Sequence, residues 1–303
     1  MYRQVAVGVL FVLSSLSHVP TASAEVTKLT WAGCGISKNA FMTEMAAAYQ
    51  KHSGVVIDFK GGGATKGIRD VASHDVDIGG TCRHVIDGNN EMPVPEERRV
   101  KLTPVAWDAL VVIVHKDNPV SNMTMNQLRD LYKGKITNWK QLGGKDAPVE
   151  LYVRKGKISG VGRTLREILF ANYDEEFVAK YVVEESATLE KDMVTNPNGV
   201  GVTGVSSARK LGASAKILNL EGKAPTYENI RDGNYVLYRP LYMVTHLQNR
   251  NPEVQKFIDF VMGPEGKQVM RSVGTVPYED AVSLWLKYIE QQNKAVARLI
   301  SQK

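Results

Sequence analysis

Cysteine is the scarcest informative residue in this chain, with 2 among 303. The pair forms no C-x-x-C motif, and no base with an orienting partner is evident. Both absences weigh against an enzyme, a thiol oxidoreductase using Cys34 and Cys82 included. Neither "GGGATKG" nor "GKISGVG" has the spacing of a P-loop or a dinucleotide fingerprint, so no cofactor is expected. Lysine and arginine are scattered instead of forming a basic stripe, which excludes nucleic acid as an expected partner. No internal repeat, low-complexity tract or proline-rich linker interrupts the chain. The early apolar run from Val5 to Leu13 is far short of the ~20 residues that a membrane span needs.

What is present is ordinary globular composition, 43% hydrophobic and 23% charged, at a length comfortable for two domains. Arg3, the apolar run and Ala22-Ser23-Ala24 make a basic n-region, an h-region and a small-x-small cleavage site. Residues 1–24 are therefore expected to be a signal peptide, and the mature chain a soluble exported monomer. Losing the single charge of Arg3 takes the net charge from +6 to +5, which suits a small anionic ligand. Glu25, not a cysteine, stands immediately after the cleavage point, so no lipid anchor is expected.

Beyond the leader, strands and helices alternate. "KLTWAG", "VVIDFKG" and "VDIGG" read as strands, and they are separated by "SKNAFMTEMAAAYQKHSG" and "TKGIRDVASH" as helices. Ser37 is the expected N-cap of the first helix, and Gly54 lies past its end. Strand–helix–strand alternation implies parallel strands with right-handed crossovers. "VAWDALVVIVHK" and "YVLYRPLYMVTH" read as long strands, apolar on both faces. A second unit of the same kind follows the first of these. Two α/β units without a linker predict lobes joined by strands, with a ligand cleft between them.

Four loops fall at the carboxyl ends of strands, where open α/β sheets bind ligands: "AGCGIS", "KGGGATKG", "GGTCRH" and "RKGKISGVGRT". Their glycines allow close approach of backbone N–H groups, and helix N-termini favour anions. Arg83, Arg154 and Arg163 add full charges.

Three segments carry a family resemblance. "MTMNQLRDLYKGKITNWKQLGG", "NPEVQKFIDFVMGPEGKQVMRSVGTVP" and "GVVIDFKGGGATKGIRDVASHDVDIGGT" resemble the periplasmic phosphate-binding proteins, solute receptors of ABC phosphate importers. The resemblance covers nearly all of the mature chain. It implies an α/β, two-lobed type II periplasmic-binding-protein fold, each lobe a mixed, mainly parallel sheet flanked by helices. Lobe 1 would comprise 25–113 and 242–303, and lobe 2 would comprise 114–241. It also implies phosphate or a related small oxyanion as ligand and an inner-membrane ABC permease as partner; a receptor for a thiophilic metal or metalloid would instead feed a transporter or a sensor kinase.

Carried over position by position, the ligand-binding set is Cys34, Gly35, Ile36, Ala64, Thr65, Cys82, Arg83, Arg154, Ser159, Gly160 and Arg163. Three positions depart from the family. Ala64 stands where a serine hydroxyl is expected, with Thr65 next to it. Cys82 replaces an aspartate that accepts the ligand's proton, and a neutral thiol is a weak acceptor. Val161 replaces a threonine in a fourth loop that is one residue longer.

In a sheet of order 2-1-3, Cys34 and Cys82 end neighbouring strands and should meet on the cleft floor. Three readings of the pair stay open: a disulfide, two thiols used in packing, or a thiolate pair for a soft ligand such as Cu(I), Zn(II) or arsenite. In the last reading His84 is a candidate third ligand. Trp31, beside the first loop, is a candidate roof for the ligand.

Overall fold

Lys28–Gly33 begins the ordered α/β pattern in the computed structural model, which describes residues 27–86 and 94–301. The signal peptide and its cleavage site lie outside the described residues. Lys28–Gly33 pairs in parallel with Val56–Phe59 on one side (Trp31 opposite Phe59) and with Ile78–Thr81 on the other (Gly33 opposite Gly80). This is the expected 2-1-3 order. The crossover helix Ala64–Ala72 lies directly on these strands, because a Cβ at Gly67 would stand 2.4 Å from the Gly80 carbonyl oxygen. Only glycine lets helix and strand approach so closely.

Two long antiparallel strands join the halves. Val100–His115 pairs through residues 100–109 with Tyr238–His246, then through 110–114 with Gly199–Gly204. The sheet order is Val56–Phe59, Lys28–Gly33, Ile78–Thr81, Tyr238–His246, Val100–His115, Gly199–Gly204, Glu150–Arg154, Tyr181–Val183. Residues 105–114 are all buried, which explains the unbroken apolar run at their centre. Pro240 is tolerated because Ile78–Thr81 begins pairing only at Tyr242, so the missing N–H falls where no partner waits. The helices Pro252–Met262 and Pro264–Ser272 break at Gly263, as the sequence implies, and pack beside Thr43–Ser53 in the first half.

Two local expectations change. The first helix starts at Gly35, not after Ser37. Cys34 is its N-cap, its sulfur accepting the Ser37 N–H at 3.3 Å, and Ser37 sits inside the first turn. A π-helical stretch, Lys38–Met42, then leads into Thr43–Ser53, which closes on Gly54 at φ 78°. The strand Tyr181–Val183 and the helix Ser186–Thr195 are elements that sequence patterning missed. The strand is three residues long, and the helix buries only Leu189, Glu190 and Met193. Among the described residues no helix is long and apolar enough to cross a membrane.

Candidate ligand cleft

A cavity of about 560 Å³ opens between the two halves of the sheet. Four helices begin on its wall, at Gly35, Ala64, Gly160 and Ser186. The last three have no side-chain cap on their first N–H groups, which leaves those donors for solvent or a ligand. Of the residues expected from sequence, Cys34, Gly35, Ile36, Ala64, Thr65, Cys82, Arg154, Ser159 and Gly160 line this cavity. Ser159 Oγ is buried and has no hydrogen-bond partner among the described residues.

The two cysteines are free thiols and both are buried. The Cys34 N–H donates to Gly80 O at 3.0 Å, which extends the parallel pairing by one residue and holds the two loops together. Cys34 Sγ lies 3.2 Å from Ser37 Oγ, and Cys82 lines the same cavity. Burial alone would push the Cys34 thiol up. The neighbouring Cys82 thiol, the charge of Arg239 and the donors of Ser37 outweigh it and hold Cys34 at about 6. Cys82 moves well above its ordinary value, because of its interaction with Cys34 and its burial. The two thiols titrate as one pair, the first proton leaving at about 6.

Beneath the thiols is a charged pair that sequence reading missed. Asp108 and Arg239 are register partners on the two long strands. Arg239 Nη2 donates to Asp108 Oδ2 at 3.3 Å, and Nη1 donates to Thr164 Oγ1 at 3.3 Å and to Cys82 O at 3.5 Å. Both residues are buried. Burial pushes the Asp108 carboxyl up to about 6, although Arg239 pulls it down. A single Asp in "VAWDALVVIVHK" and a single Arg in "YVLYRPLYMVTH" were the available signal. A charge inside a buried strand requires a partner, and each long strand supplies one.

Three expected residues stand off the cavity wall. Arg83 is 2% exposed and is engaged by Glu97 in a two-pronged pair at 2.8 Å on each prong. It also donates to His84 O and, at 3.3 Å, to Thr65 Oγ1, so it orients the loop instead of facing a ligand. Arg163, also 2% exposed, has its guanidinium over the Tyr173 ring at 4.1 Å and contacts His84 Nε2 at 3.0 Å. His84 is thus turned toward Arg163 and is not among the residues that line the cavity with the thiols. Burial and the charges of Arg163 and Arg83 lower it to about 3, which suits a neutral ring. Among the described residues no group of three or more His, Cys, Asp or Glu is arranged to hold a metal ion. Trp31 is not a roof either: it is 1% exposed, edge-on to Phe59 and under Gly33 and Gly80.

The halves touch across the cleft. Thr65 Oγ1 donates to Ile158 O at 3.3 Å, and Asn39 Nδ2 donates to Ser207 Oγ at 2.9 Å. A Cβ at Gly160 would stand 2.3 Å from Cys82 Sγ, so the two loops meet only because residue 160 has no side chain. The cavity's carboxylates are mostly engaged: Asp70 pairs with Lys66, Glu184 with Lys155, and Glu190 with Thr203. Another cavity of about 590 Å³, lined by Tyr49, His52 and Phe260, lies far from these loops. Its charged groups pair among themselves, His52 with Glu265 at 3.2 Å and Lys256 with Glu253 at 2.7 Å.

Known proteins place this architecture. A family model described as PBP superfamily domain matches residues 19–265. The phosphate-binding protein PstS of Borreliella burgdorferi is 25% identical over 88% of this chain and 95% of its own length. A chain from Clostridium perfringens, described as a phosphate ABC transporter substrate-binding protein with bound phosphate, superposes with a TM-score of 0.73. It is 26% identical and covers 83% of this chain and 99% of that one. An ABC-type phosphate transport receptor from Vibrio cholerae superposes at 0.61, with 27% identity over 82% and 99% of the two chains. With a two-lobed α/β fold, a cleft between the lobes and a family match over most of its length, the chain belongs to the PBP superfamily.

Proposed function

We propose that the protein is an exported, non-catalytic receptor that closes its lobes on phosphate or a related small oxyanion and delivers it to an ABC permease. In this reading residues 1–24 are the cleaved leader. Lobe 1 is 25–113 with 242–303, lobe 2 is 114–241, and the long strands between them act as the hinge. The observation that carries it is the convergence of four helix N-termini, three without a side-chain cap, on one interlobe cavity above the Arg239 guanidinium. Such donors match an oxyanion in charge and direction.

The binding set is Cys34, Gly35, Ile36, Ala64, Thr65, Cys82, Arg154, Ser159 and Gly160, with Arg239 acting from beneath. Arg154 is held by Ser186 Oγ at 2.7 Å and by Glu184 O, which aims it along the wall. Each hydrogen bond to a charged ligand contributes about 1.5–3 kcal/mol, so a few suffice for micromolar affinity. The phosphate named for the relatives comes to this chain on that basis.

Titration calorimetry of the purified chain with inorganic phosphate, and with sulfate as comparison, tests the reading. Saturable one-to-one binding of phosphate is expected. No heat from either anion at millimolar concentration would overturn it.

A further inference from the structure

The cleft floor carries a second chemistry that oxyanion binding does not use. We propose that Cys34 and Cys82 together form a covalent chelating site for a trivalent, thiophilic metalloid, with arsenous acid as the probe. This goes beyond the oxyanion reading and does not depend on it.

Three observations select this ligand class. First, both thiols are free, both line the cavity, and they come from loops tied to each other by the Cys34 N–H and Gly80 O bond of 3.0 Å. Two sulfurs held this way act as one bidentate ligand. Second, they follow neighbouring parallel strands: Gly33, one residue before Cys34, stands opposite Gly80, two residues before Cys82. Adjacent strand ends set the two soft donors side by side for one atom. Third, among the described residues no third His, Cys, Asp or Glu joins them, so a four-coordinate zinc site is not completed. A pyramidal trivalent centre needs only two protein ligands, because it brings its third substituent with it.

The reaction is a condensation without redox change. Two As–O bonds of arsenous acid break and two As–S bonds form, to Cys34 and Cys82. The two departing oxygens leave as water, taking protons from the thiols or, for a proton Cys34 has already lost, from solvent. Arsenic stays trivalent and keeps one hydroxyl. The same cavity offers that hydroxyl the buried Ser159 Oγ, which has no partner among the described residues. The Cys34 sulfur, already an acceptor of the Ser37 N–H, is the nucleophile.

The test uses the full mature chain, reduced and then freed of reductant, titrated with sodium arsenite. Intact mass spectrometry should show one arsenic with one hydroxyl per chain, at the cost of two hydrogens. Peptide mapping should show both cysteines protected from maleimide and released by a small dithiol. Cys34→Ser and Cys82→Ser should each lose the adduct and roughly 10²-fold in affinity, the usual cost of losing a linked second attachment. Thermal melting establishes that the variants fold, and the protection experiment needs no variant. The proposal is overturned by an unmodified wild-type chain with two countable thiols, by an adduct that survives either substitution, or by a Cys34–Cys82 disulfide that resists reductant in the folded protein. Phosphate calorimetry on a separate sample of the same preparation reports on the oxyanion reading independently.

Discussion

Arg239 and Asp108 face each other across the two long strands and pair at 3.3 Å inside the protein, directly below the thiols. A buried pair of this kind is sensitive to removal of one partner, because the survivor keeps its desolvation cost. Arg239→Met should destabilise the fold by about 3–5 kcal/mol, and the double substitution with Asp108→Leu should recover much of that loss. Urea unfolding of wild type and the two variants measures it. Equal stability of Arg239→Met and wild type would show that the pair contributes nothing to folding.

Gly160 sets how closely the loops approach. An added Cβ would stand 2.3 Å from Cys82 Sγ and 3.1 Å from Ala64 Cβ. Gly160→Ala should therefore hold the lobes apart, weaken phosphate at least ~10-fold for a lost closing contact of about 1.4 kcal/mol, and leave the unfolding midpoint near wild type. Small-angle scattering with saturating phosphate should report a larger radius for this variant than for wild type.

If the cavity takes an oxyanion as proposed, the Cys34 thiol at about 6 should make that binding pH-dependent. Above that pH the sulfur is anionic, and a second negative charge in the same cavity raises its affinity for a proton. Binding should thus take up protons between pH 6 and 8, and affinity should fall as pH rises through that window. Calorimetry in buffers of different ionisation heat measures the uptake. Cys34→Ser should lose this component and keep only what belongs to phosphate itself.

His84 gives a stability signature at lower pH. Its ring stays neutral in the folded protein down to about 3, whereas an unfolded histidine takes a proton near 6.5. The unfolded chain therefore binds the extra proton first, so this contribution is complete above about 6.5 and is lost as pH falls toward 3. The melting temperature should drop across that range, and less steeply in His84→Gln. Parallel curves for the two proteins would assign the acid sensitivity elsewhere.

The scaffold was readable because its signals are local and periodic. Alternation and loop composition fix the order of the first three strands, and the break at Gly263-Pro264 is written in the two residues themselves. The meeting of Cys34 and Cys82 followed from strand order alone. Side-chain direction was not readable. Arg83 and Arg163 sit in anion-favouring loops, yet Glu97 takes one and Tyr173 with His84 takes the other, and no local pattern marks these pairings. Arg239 and Asp108 were hidden in apolar runs because their register, which makes them partners, appears only when the strands pair. Ser37 was named as cap where Cys34 serves, since a thiol is seldom counted among N-cap residues.

The changeover at Ala109 and Leu110 has a sharp consequence. Val100–His115 leaves one pairing partner for the other between adjacent residues, with no spare length between them. Strand faces alternate with a period of two, so one amino acid inserted after Ala109 would turn Leu110 through Val114 inside out relative to Asp108. The joint between the two halves of the sheet is thus intolerant of a single added residue, and length there is fixed more tightly than composition.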